Sequence, residues 1–133
     1  MRVVVAATVV AVAMFATSMG VAGAEDYGIF TVHDSKLGTV LADPNGMTVY
    51  TFAKDPKGKS ACNGDCAAKW PPVKAADDAK PFGDYSIIVR DDGTRQWADE
   101  DRPLYTYVKD TKPGDVNGDF VNGVWHAEKE EDD

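Results

Sequence analysis

The sequence Tyr-Thr-Phe-Ala-Lys-Asp at residues 50–55 returns as Tyr-Thr-Tyr-Val-Lys-Asp at residues 105–110. Four of the six positions are identical and a fifth keeps an aromatic ring, at a spacing of 55 residues. Such agreement within a chain of 133 residues indicates that one structural unit is used twice. We therefore predict a domain of two pseudo-repeats, at about residues 37–75 and about residues 84–127.

The two motifs have the pattern of β-strands that carry aromatic rings on one face. Alternate side chains of a strand share a face, so Tyr50 is predicted beside Phe52, and Tyr105 beside Tyr107. Two rings per repeat bury a large apolar area, while each tyrosine hydroxyl needs a hydrogen-bond partner when it is buried. These four rings are therefore predicted to contribute to one common core.

Asp55 and Asp110 end the two motifs, and each precedes a turn that contains Pro, Lys and Gly. A carboxylate at such a position can accept backbone N–H bonds and stabilise the turn. Core rings with a turn-forming aspartate are the favoured interpretation. The alternatives are an exposed aromatic face that binds a ligand, or tyrosine and aspartate acting as acid and base, although no nucleophile accompanies them.

Outside the motifs, short β-branched and aromatic runs are separated by Asp, Gly, Pro and Asn. This punctuation predicts an all-β domain, compact and mainly antiparallel. Turn sequences at residues 43–46 and 91–94 predict two hairpins, and residues 120–127 are predicted as the last strand. The Ala-containing segment 64–70 predicts one short helix or turn, and residues 74–80 are predicted as the connector between the repeats.

The first 24 residues have the features of a secretory signal peptide. Arg2 precedes an apolar run from Val3 to Phe15, and the segment ends in the small residues Ala22-Gly23-Ala24. An apolar run of this length is too short to span a ~30 Å hydrocarbon core. We predict cleavage near Ala24, a secreted or periplasmic product and no membrane span after cleavage.

The charge of the chain limits the classes of partner. The formal net charge is −8, and it becomes −9 without residues 1–24, which contain one Arg and no acid. Nucleic acids and anionic lipid surfaces require clustered Lys and Arg, so neither is expected as a partner. The domain is predicted to comprise residues 25–127, followed by a solvated acidic tail at residues 128–133.

Cys62 and Cys66 are the only cysteines. In an exported protein a close pair is predicted to form a disulfide, and closing so short a loop contributes about 2 kcal/mol. The alternative is a copper or thiol-redox site, since copper(I) favours sulfur ligands. His33, His126 and Met47 are the candidate additional ligands, although none is close in sequence to the cysteines.

Residues 115–119 imitate the first half of a calcium loop, with side-chain oxygens at Asp115, Asn117 and Asp119. The imitation then fails, because Phe120 replaces the required glycine and His126 occupies the position of the bidentate glutamate. A polar turn between strands is therefore the favoured interpretation, and weak calcium binding is the alternative.

Three further segments have a recognisable pattern. Residues 62–72 read Cys-Asn-Gly-Asp-Cys-Ala-Ala-Lys-Trp-Pro-Pro, and residues 92–96, 103–105 and 113–118 add short Gly- and Pro-containing stretches. Together with the Tyr-x-aromatic-x-x-Asp motifs, these segments resemble a family of bacterial exported proteins, predicted lipoproteins or secreted repeats of unknown function. The resemblance extends over nearly all of residues 37–126. It implies an exported two-repeat domain and no particular activity.

Two departures from the pattern of that family have structural consequences. The lipid-accepting cysteine of many relatives is missing here, so membrane attachment is not expected. Asp101 stands where similar sequences tend to have a glycine, so the turn before Pro103 is predicted to be strained or differently built.

No catalytic triad, carboxylate pair, phosphate-binding loop or dinucleotide fingerprint occurs in the sequence. Trp70, Trp97 and Trp125 are predicted to be core residues. We therefore expect a non-enzymatic binding or cell-envelope module without a cofactor, with an unknown ligand and an envelope protein as its possible partner.

Overall fold

The computed structural model describes residues 28–130, which form short strands, one α-helical turn and one 3₁₀ turn. The elements in chain order are β1 (Thr31–Ser35), β2 (Gly38–Ala42), β3 (Tyr50–Phe52), α1 (Asp65–Lys69), β4 (Tyr85–Val89), β5 (Arg95–Asp99), β6 (Arg102–Pro103), the 3₁₀ turn (Val121–Gly123) and β7 (Trp125–Ala127). The predicted signal peptide at residues 1–24, its cleavage site and residues 131–133 lie outside the described range.

The strands pair antiparallel in three small sheets: β1 with β2, β3 with β7, and β4 with β5 and β6. The predicted all-β class is confirmed, and the short helix α1 lies at the cysteine pair, as expected. The predicted hairpin at residues 91–94 is present as β4–β5. At residues 43–46, Asp43 accepts the N–H groups of Asn45 and Met47, both at 2.9 Å, and stabilises the turn.

The two motif strands meet at their tyrosines. The backbone N–H of Tyr50 donates to the carbonyl of Tyr105 at 2.7 Å, and the N–H of Tyr105 donates back to Tyr50 at 2.9 Å. Equivalent residues of the two repeats thus face each other across an antiparallel bridge. This arrangement gives the fold a pseudo-two-fold centre.

Each repeat ends in the half of the fold that belongs to the other repeat. Val73, at the end of the first repeat, donates its N–H to Leu104 of the second at 2.9 Å. Glu128, at the end of the second repeat, donates to Val49 of the first at 2.8 Å. Val73 and Glu128 are equivalent positions of the two repeats, 55 residues apart, and so are Val49 and Leu104. The two repeats therefore exchange their C-terminal segments in the same way.

Two apolar clusters lie on opposite sides of the motif strands, as strand alternation requires. The first core contains Val40, Tyr50, Cys62, Trp70, Tyr105, Val116, Trp125 and Ala127, with Phe52 and Tyr107 packed against it. The second core contains Phe30, Leu41, Val49, Val73, Ala75, Trp97 and Leu104. All four motif rings therefore belong to the first core, as predicted, and the neighbours Val49 and Leu104 belong to the second.

The ordered domain extends into the predicted acidic tail. Glu128 is 7% exposed, Lys129 bridges Val40, and Glu130 donates its N–H to Thr39 at 3.0 Å. Residues 128–130 therefore continue the exchanged segment instead of forming a solvated tail. Backbone pairing with the first repeat outweighs the tendency of an acidic sequence to remain solvated.

The predicted last strand at residues 120–127 is shortened to β7. Phe120 and Asn122 have φ angles of 70° and 55°, in the left-handed region, which interrupts an extended strand. The chain instead forms the 3₁₀ turn, which is closed by a hydrogen bond of 2.6 Å from the N–H of Phe120 to the carbonyl of Trp125. Similarly, the start of the predicted connector is ordered, because Lys74 bridges Gln96 and Ala75 donates to Arg95.

Candidate functional site

The polar groups of the motif join the two repeats. The hydroxyl of Tyr50 donates to Asp110 Oδ2 at 2.5 Å, and the hydroxyl of Tyr105 donates to Asp55 Oδ2 at 2.7 Å. Both tyrosines are fully buried. Each motif tyrosine is therefore bonded to the motif aspartate of the other repeat, which sequence reasoning about a single motif does not predict.

The second oxygen of each motif aspartate stabilises the turn that follows it. Asp55 Oδ1 accepts the N–H of Ala61 at 2.6 Å, and Asp110 Oδ1 accepts the N–H of Asn117 at 2.9 Å. These bonds give the aspartates the turn-forming role that the sequence suggests. The carboxylates consequently serve both the turn and the contact between repeats.

Burial changes the protonation of these groups. Desolvation, followed by the hydrogen bond to Asp110, raises the pKa of the Tyr50 hydroxyl well above its usual value. Desolvation likewise raises the pKa of Tyr105, and it raises the pKa of Asp55 and of Asp110. The two phenols are therefore neutral donors near neutral pH, and no substrate can reach them without unfolding.

A chain of buried polar groups extends from Tyr105 to a buried guanidinium. Ser60 Oγ lies 2.6 Å from the hydroxyl of Tyr105, and it accepts a hydrogen bond of 3.0 Å from Arg90. Arg90 also donates to the carbonyl of Cys62 at 2.6 Å and to Gln96 at 2.7 Å. The charge of this 5% exposed arginine is thus satisfied by several oxygens, which fix the cysteine-containing loop.

Four aromatic rings form a continuous stack, here called the ring stack, in the order Phe52, Trp125, Trp70, Tyr107. Their centroids are 4.2, 3.8 and 4.0 Å apart, with interplanar angles of 15°, 1° and 19°. Residues 70 and 125 are separated by 55 positions, like residues 52 and 107, so the stack follows the pseudo-two-fold symmetry. The prediction that Trp70 and Trp125 are core residues matches their exposures of 5% and 3%.

The order of the ring stack determines which parts of the tryptophans remain accessible. Trp125 lies between Phe52 and Trp70, and Trp70 lies between Trp125 and Tyr107, so both faces of each indole are covered. Tyr50 packs edge-on against Trp70, with centroids 5.4 Å apart. Only the remaining ring edges can border an open space.

Such a space, here called the helix cleft, lies beside the ring stack and has a volume of about 400 Å³. Its apolar walls are formed by Phe52, Trp70, Trp125, Cys66 and Val124. Its polar rim is formed by Lys54, Asp65, Lys69 and Asn122. The lining comes from the first motif, from α1 and the tryptophan that follows it, and from the 3₁₀ turn and the start of β7. The helix cleft is therefore formed jointly by both repeats.

The rim of the helix cleft carries two ammonium groups. Lys54 and Lys69 are exposed, and neither forms an ion pair with a carboxylate anywhere in residues 28–130. Asp65 is the carboxylate that lines the same space. The cleft thus has an excess of positive charge in a chain whose net charge is −8.

Cys62 and Cys66 form the predicted disulfide. The candidate copper ligands lie on separate elements: His33 on β1, His126 on β7 opposite Thr51, and Met47 in the turn that follows β2. In the described part of the chain, no three His, Cys, Asp or Glu side chains are grouped so that they could hold a metal ion. The bridged sulfurs are also not thiolates, the form that binds copper or zinc.

The candidate calcium residues make hydrogen bonds to different parts of the fold. The carboxylate of Asp115 accepts bonds from Thr111 and Lys112, and Asp119 accepts the N–H of Ala127 at 2.9 Å. The side-chain amide of Asn117 donates to the carbonyl of Lys109 at 3.3 Å. These groups stabilise turns, which corresponds to the favoured interpretation of the sequence.

The comparison with known proteins identifies one family. A family described as a secreted repeat of unknown function matches residues 31–74 and 86–129, so the two matches include both motifs and the exchanged residues Val73 and Glu128. No curated protein and no solved structure matches the chain. Within residues 28–130, no helix has the length and apolar character that crossing a membrane requires.

Sequence reasoning missed the residues that form the rim of the helix cleft. Lys54 is part of the repeated motif, but the motif alone does not distinguish it from Lys109, which does not line the cleft. Lys69 directly precedes Trp70, so its proximity to a tryptophan was visible in the sequence. Asn122 is positioned by the left-handed turn, and the dipeptide Asn122-Gly123 is a turn signal that the prediction of a continuous strand over residues 120–127 overlooked.

Proposed function

We propose that this chain, which belongs to the family of secreted repeats of unknown function, is an exported, non-enzymatic module that binds a small ligand in the helix cleft. Membership of a secreted family supports a location outside the cytoplasm, in the periplasm or the surrounding medium. A partner in the cell envelope that supplies or receives the ligand is part of the same proposal.

The role of the motif supports a non-enzymatic function. Catalysis by acid and base groups requires side chains that can contact a substrate. The hydroxyls of Tyr50 and Tyr105 are instead fully buried and bonded to Asp110 and Asp55. The most distinctive polar residues of the sequence are therefore used to hold the fold together.

The helix cleft is the observation that carries the binding proposal. Its volume of about 400 Å³ lies within the usual range of ligand sites, about 300–1,000 Å³. Such sites combine apolar and aromatic walls with a few polar groups, as the ring edges and the rim do here. The walls are rigid, because the ring stack and the disulfide at Cys66 fix them on two sides.

Binding in the helix cleft can be tested by protein-observed NMR with a library of small anions, cations and neutral compounds. We expect shifts of the backbone signals of Lys54, Lys69 and Val124, with unchanged compounds after prolonged incubation. Signals of the second core, such as those of Leu41, serve as the internal reference. Turnover of a compound, or shifts spread evenly over the molecule, would contradict the proposal.

A thiol-redox role is the second candidate, because the bridged Cys66 lines the helix cleft and is partly exposed, whereas Cys62 is fully buried. A thiolate that enters the cleft would attack Cys66, form a mixed disulfide and release Cys62 as a thiolate. Mass spectrometry after incubation with a small thiol tests this role. An unmodified, fully oxidised protein after prolonged incubation would rule it out.

A further inference from the structure

The covered faces of Trp70 and Trp125 and the charges on the rim of the helix cleft both bear on the charge of the ligand. We propose that the cleft selects a small organic anion, with an apolar or aromatic body and one carboxylate or sulfonate group. This inference rests on the proposed binding function and adds the chemical class of the ligand.

Ring orientation excludes recognition of a cation by the tryptophans. An aromatic ring is electronegative on its faces and electropositive at its edge, and a cation binds over an open face. Both faces of Trp70 and Trp125 are covered within the ring stack, at centroid distances of 3.8 to 4.2 Å. The cleft therefore meets their positive edges, which attract electron-rich atoms of a ligand.

The charges of the rim also favour an anionic ligand. Lys54 and Lys69 contribute two positive charges, and Asp65 contributes one negative charge. Because the lysines form no ion pair within residues 28–130, an incoming anion does not have to displace a carboxylate of that part of the chain. An anionic group can thus contact the ammonium groups while the apolar body of the ligand lies against the ring edges.

The shape of the cleft limits the size of the ligand. A volume of about 400 Å³ accommodates a body of one or two rings, but not an extended polymer. The apolar walls formed by Phe52, Val124 and the disulfide favour a hydrocarbon body over a hydrated inorganic ion. A small amphiphilic anion satisfies both parts of the lining.

Three probes of the same shape test the charge preference: naphthalene sulfonate, naphthylmethanol and naphthylmethylammonium. Each is titrated into the processed, oxidised protein, and the indole N–H signals are followed by NMR. We expect the sulfonate to shift the signals of Trp70 and Trp125, while Trp97, which belongs to the second core, stays unchanged. The sulfonate should bind about fivefold more tightly than the alcohol, as two exposed charge interactions allow, and the ammonium should bind most weakly.

Variants of the rim identify the source of the preference. In a Lys54→Met/Lys69→Met protein, the affinity for the sulfonate should fall to that for the alcohol, whose affinity should not change. Lys109→Met is the matched control, because Lys109 is the equivalent of Lys54 in the second repeat but does not line the cleft. This variant should retain the full preference.

The outcomes separate the two proposals. Equal affinity for all three probes, with shifts at Trp70 and Trp125, would overturn the anion preference and leave binding in the cleft intact. If no probe shifts either tryptophan signal, the cleft is not a binding site and the proposed function fails as well. A preference for the sulfonate that survives in the double variant would overturn the role of the two lysines.

Discussion

At the scale of single residues, the tyrosine–aspartate pairs link the two repeats through buried side chains. The hydroxyl of Tyr50 and the carboxylate of Asp110 come from sequence positions 60 residues apart, and both are buried in the folded chain. A buried polar group that loses its partner costs free energy, because water cannot replace the missing bond. The pairs should therefore contribute to stability and not to chemistry.

Replacing Tyr50 with Phe should lower the free energy of unfolding by about 1–3 kcal/mol, because it removes a donor from the buried Asp110. Urea denaturation followed by tryptophan fluorescence measures this change. Tyr107→Phe is the matched control, since the hydroxyl of the half-buried Tyr107 has no hydrogen-bond partner within residues 28–130. A similar loss of stability in both variants would show that the Tyr50–Asp110 bond has no special role.

The pKa values of the buried Asp55 and Asp110 should lie above the ordinary value of an aspartate, and that of Asp115 should lie below it. Burial raises the pKa of Asp55 and Asp110 above 3.8, so the folded state retains protons that the unfolded state releases. Their contribution to stability is greatest below 3.8 and falls as pH rises through the raised pKa. The pKa of Asp115 is lowered to about 2, and the hydrogen bond from Lys112 is the largest of several causes. The stability that ionised Asp115 contributes is therefore lost as pH falls from 3.8 towards 2.

Carboxyl-carbon NMR titration measures these values directly. We expect midpoints above the ordinary value for Asp55 and Asp110 and near 2 for Asp115. Asp110→Asn should abolish the part of the pH dependence of stability that Asp110 contributes. Three midpoints at the ordinary value of a free aspartate would contradict this description.

At the scale of structural elements, the turn between β5 and β6 is strained, as the departure at Asp101 predicts. Glu100 and Asp101 have φ angles of 52° and 67°, in the left-handed region that favours glycine. The turn is retained because its backbone is tied to other segments. Gly58 donates its N–H to the carbonyl of Asp101 at 2.7 Å, and Glu100 donates to the carbonyl of Asp84 at 2.8 Å.

Asp101→Gly should raise the free energy of unfolding by about 0.5–1 kcal/mol, since relief of the left-handed strain exceeds the added entropy of the unfolded chain. The substitution also removes the exposed hydrogen bond of 3.3 Å from the hydroxyl of Ser86 to Asp101, which is long and contributes little. Asp92→Gly is the control. Asp92 has no positive φ angle, and its carboxylate accepts two bonds from Thr94, so the same substitution there should destabilise the protein. Thermal unfolding of the two variants provides the comparison, and destabilisation by Asp101→Gly would refute the strain.

Gly118 shows how closely the 115–119 turn approaches the ring stack. A Cβ atom at this position would lie 2.8 Å from the ring of Trp70 and 3.0 Å from that of Tyr107. Gly118→Ala should therefore destabilise the protein by about 1–3 kcal/mol through overpacking. It should also weaken the near-ultraviolet circular dichroism of the stacked tryptophans, and an unchanged spectrum and stability would contradict the close packing.

At the scale of the whole molecule, the sequence predicted the duplication, the all-β class, the short helix and the disulfide. It did not predict that each repeat ends in the other half of the fold. Local patterns report which face of a strand is apolar, but Val73 and Glu128 pair with residues that lie far away along the chain. The rim of the helix cleft was missed for the same reason, since Lys69 and Asn122 come from different repeats.

The exchange of segments predicts that neither repeat folds alone. Residues 25–78 and residues 79–133, produced separately, should each lack the near-ultraviolet circular dichroism of the intact domain, because each fragment lacks its pairing partners and buries little surface. Mixing them should restore that signal as a complex with one copy of each fragment. A first fragment that folds as a monomer would contradict this mutual dependence of the repeats.

The crossed arrangement also bears on ancestry. A gene encoding one repeat would have produced a chain that completes its core only with a second, identical copy. Fusion of two such genes would place both halves of the core in one chain and free the halves to diverge. The disulfide, whose two cysteines both lie in the first repeat, is a difference that this freedom permits.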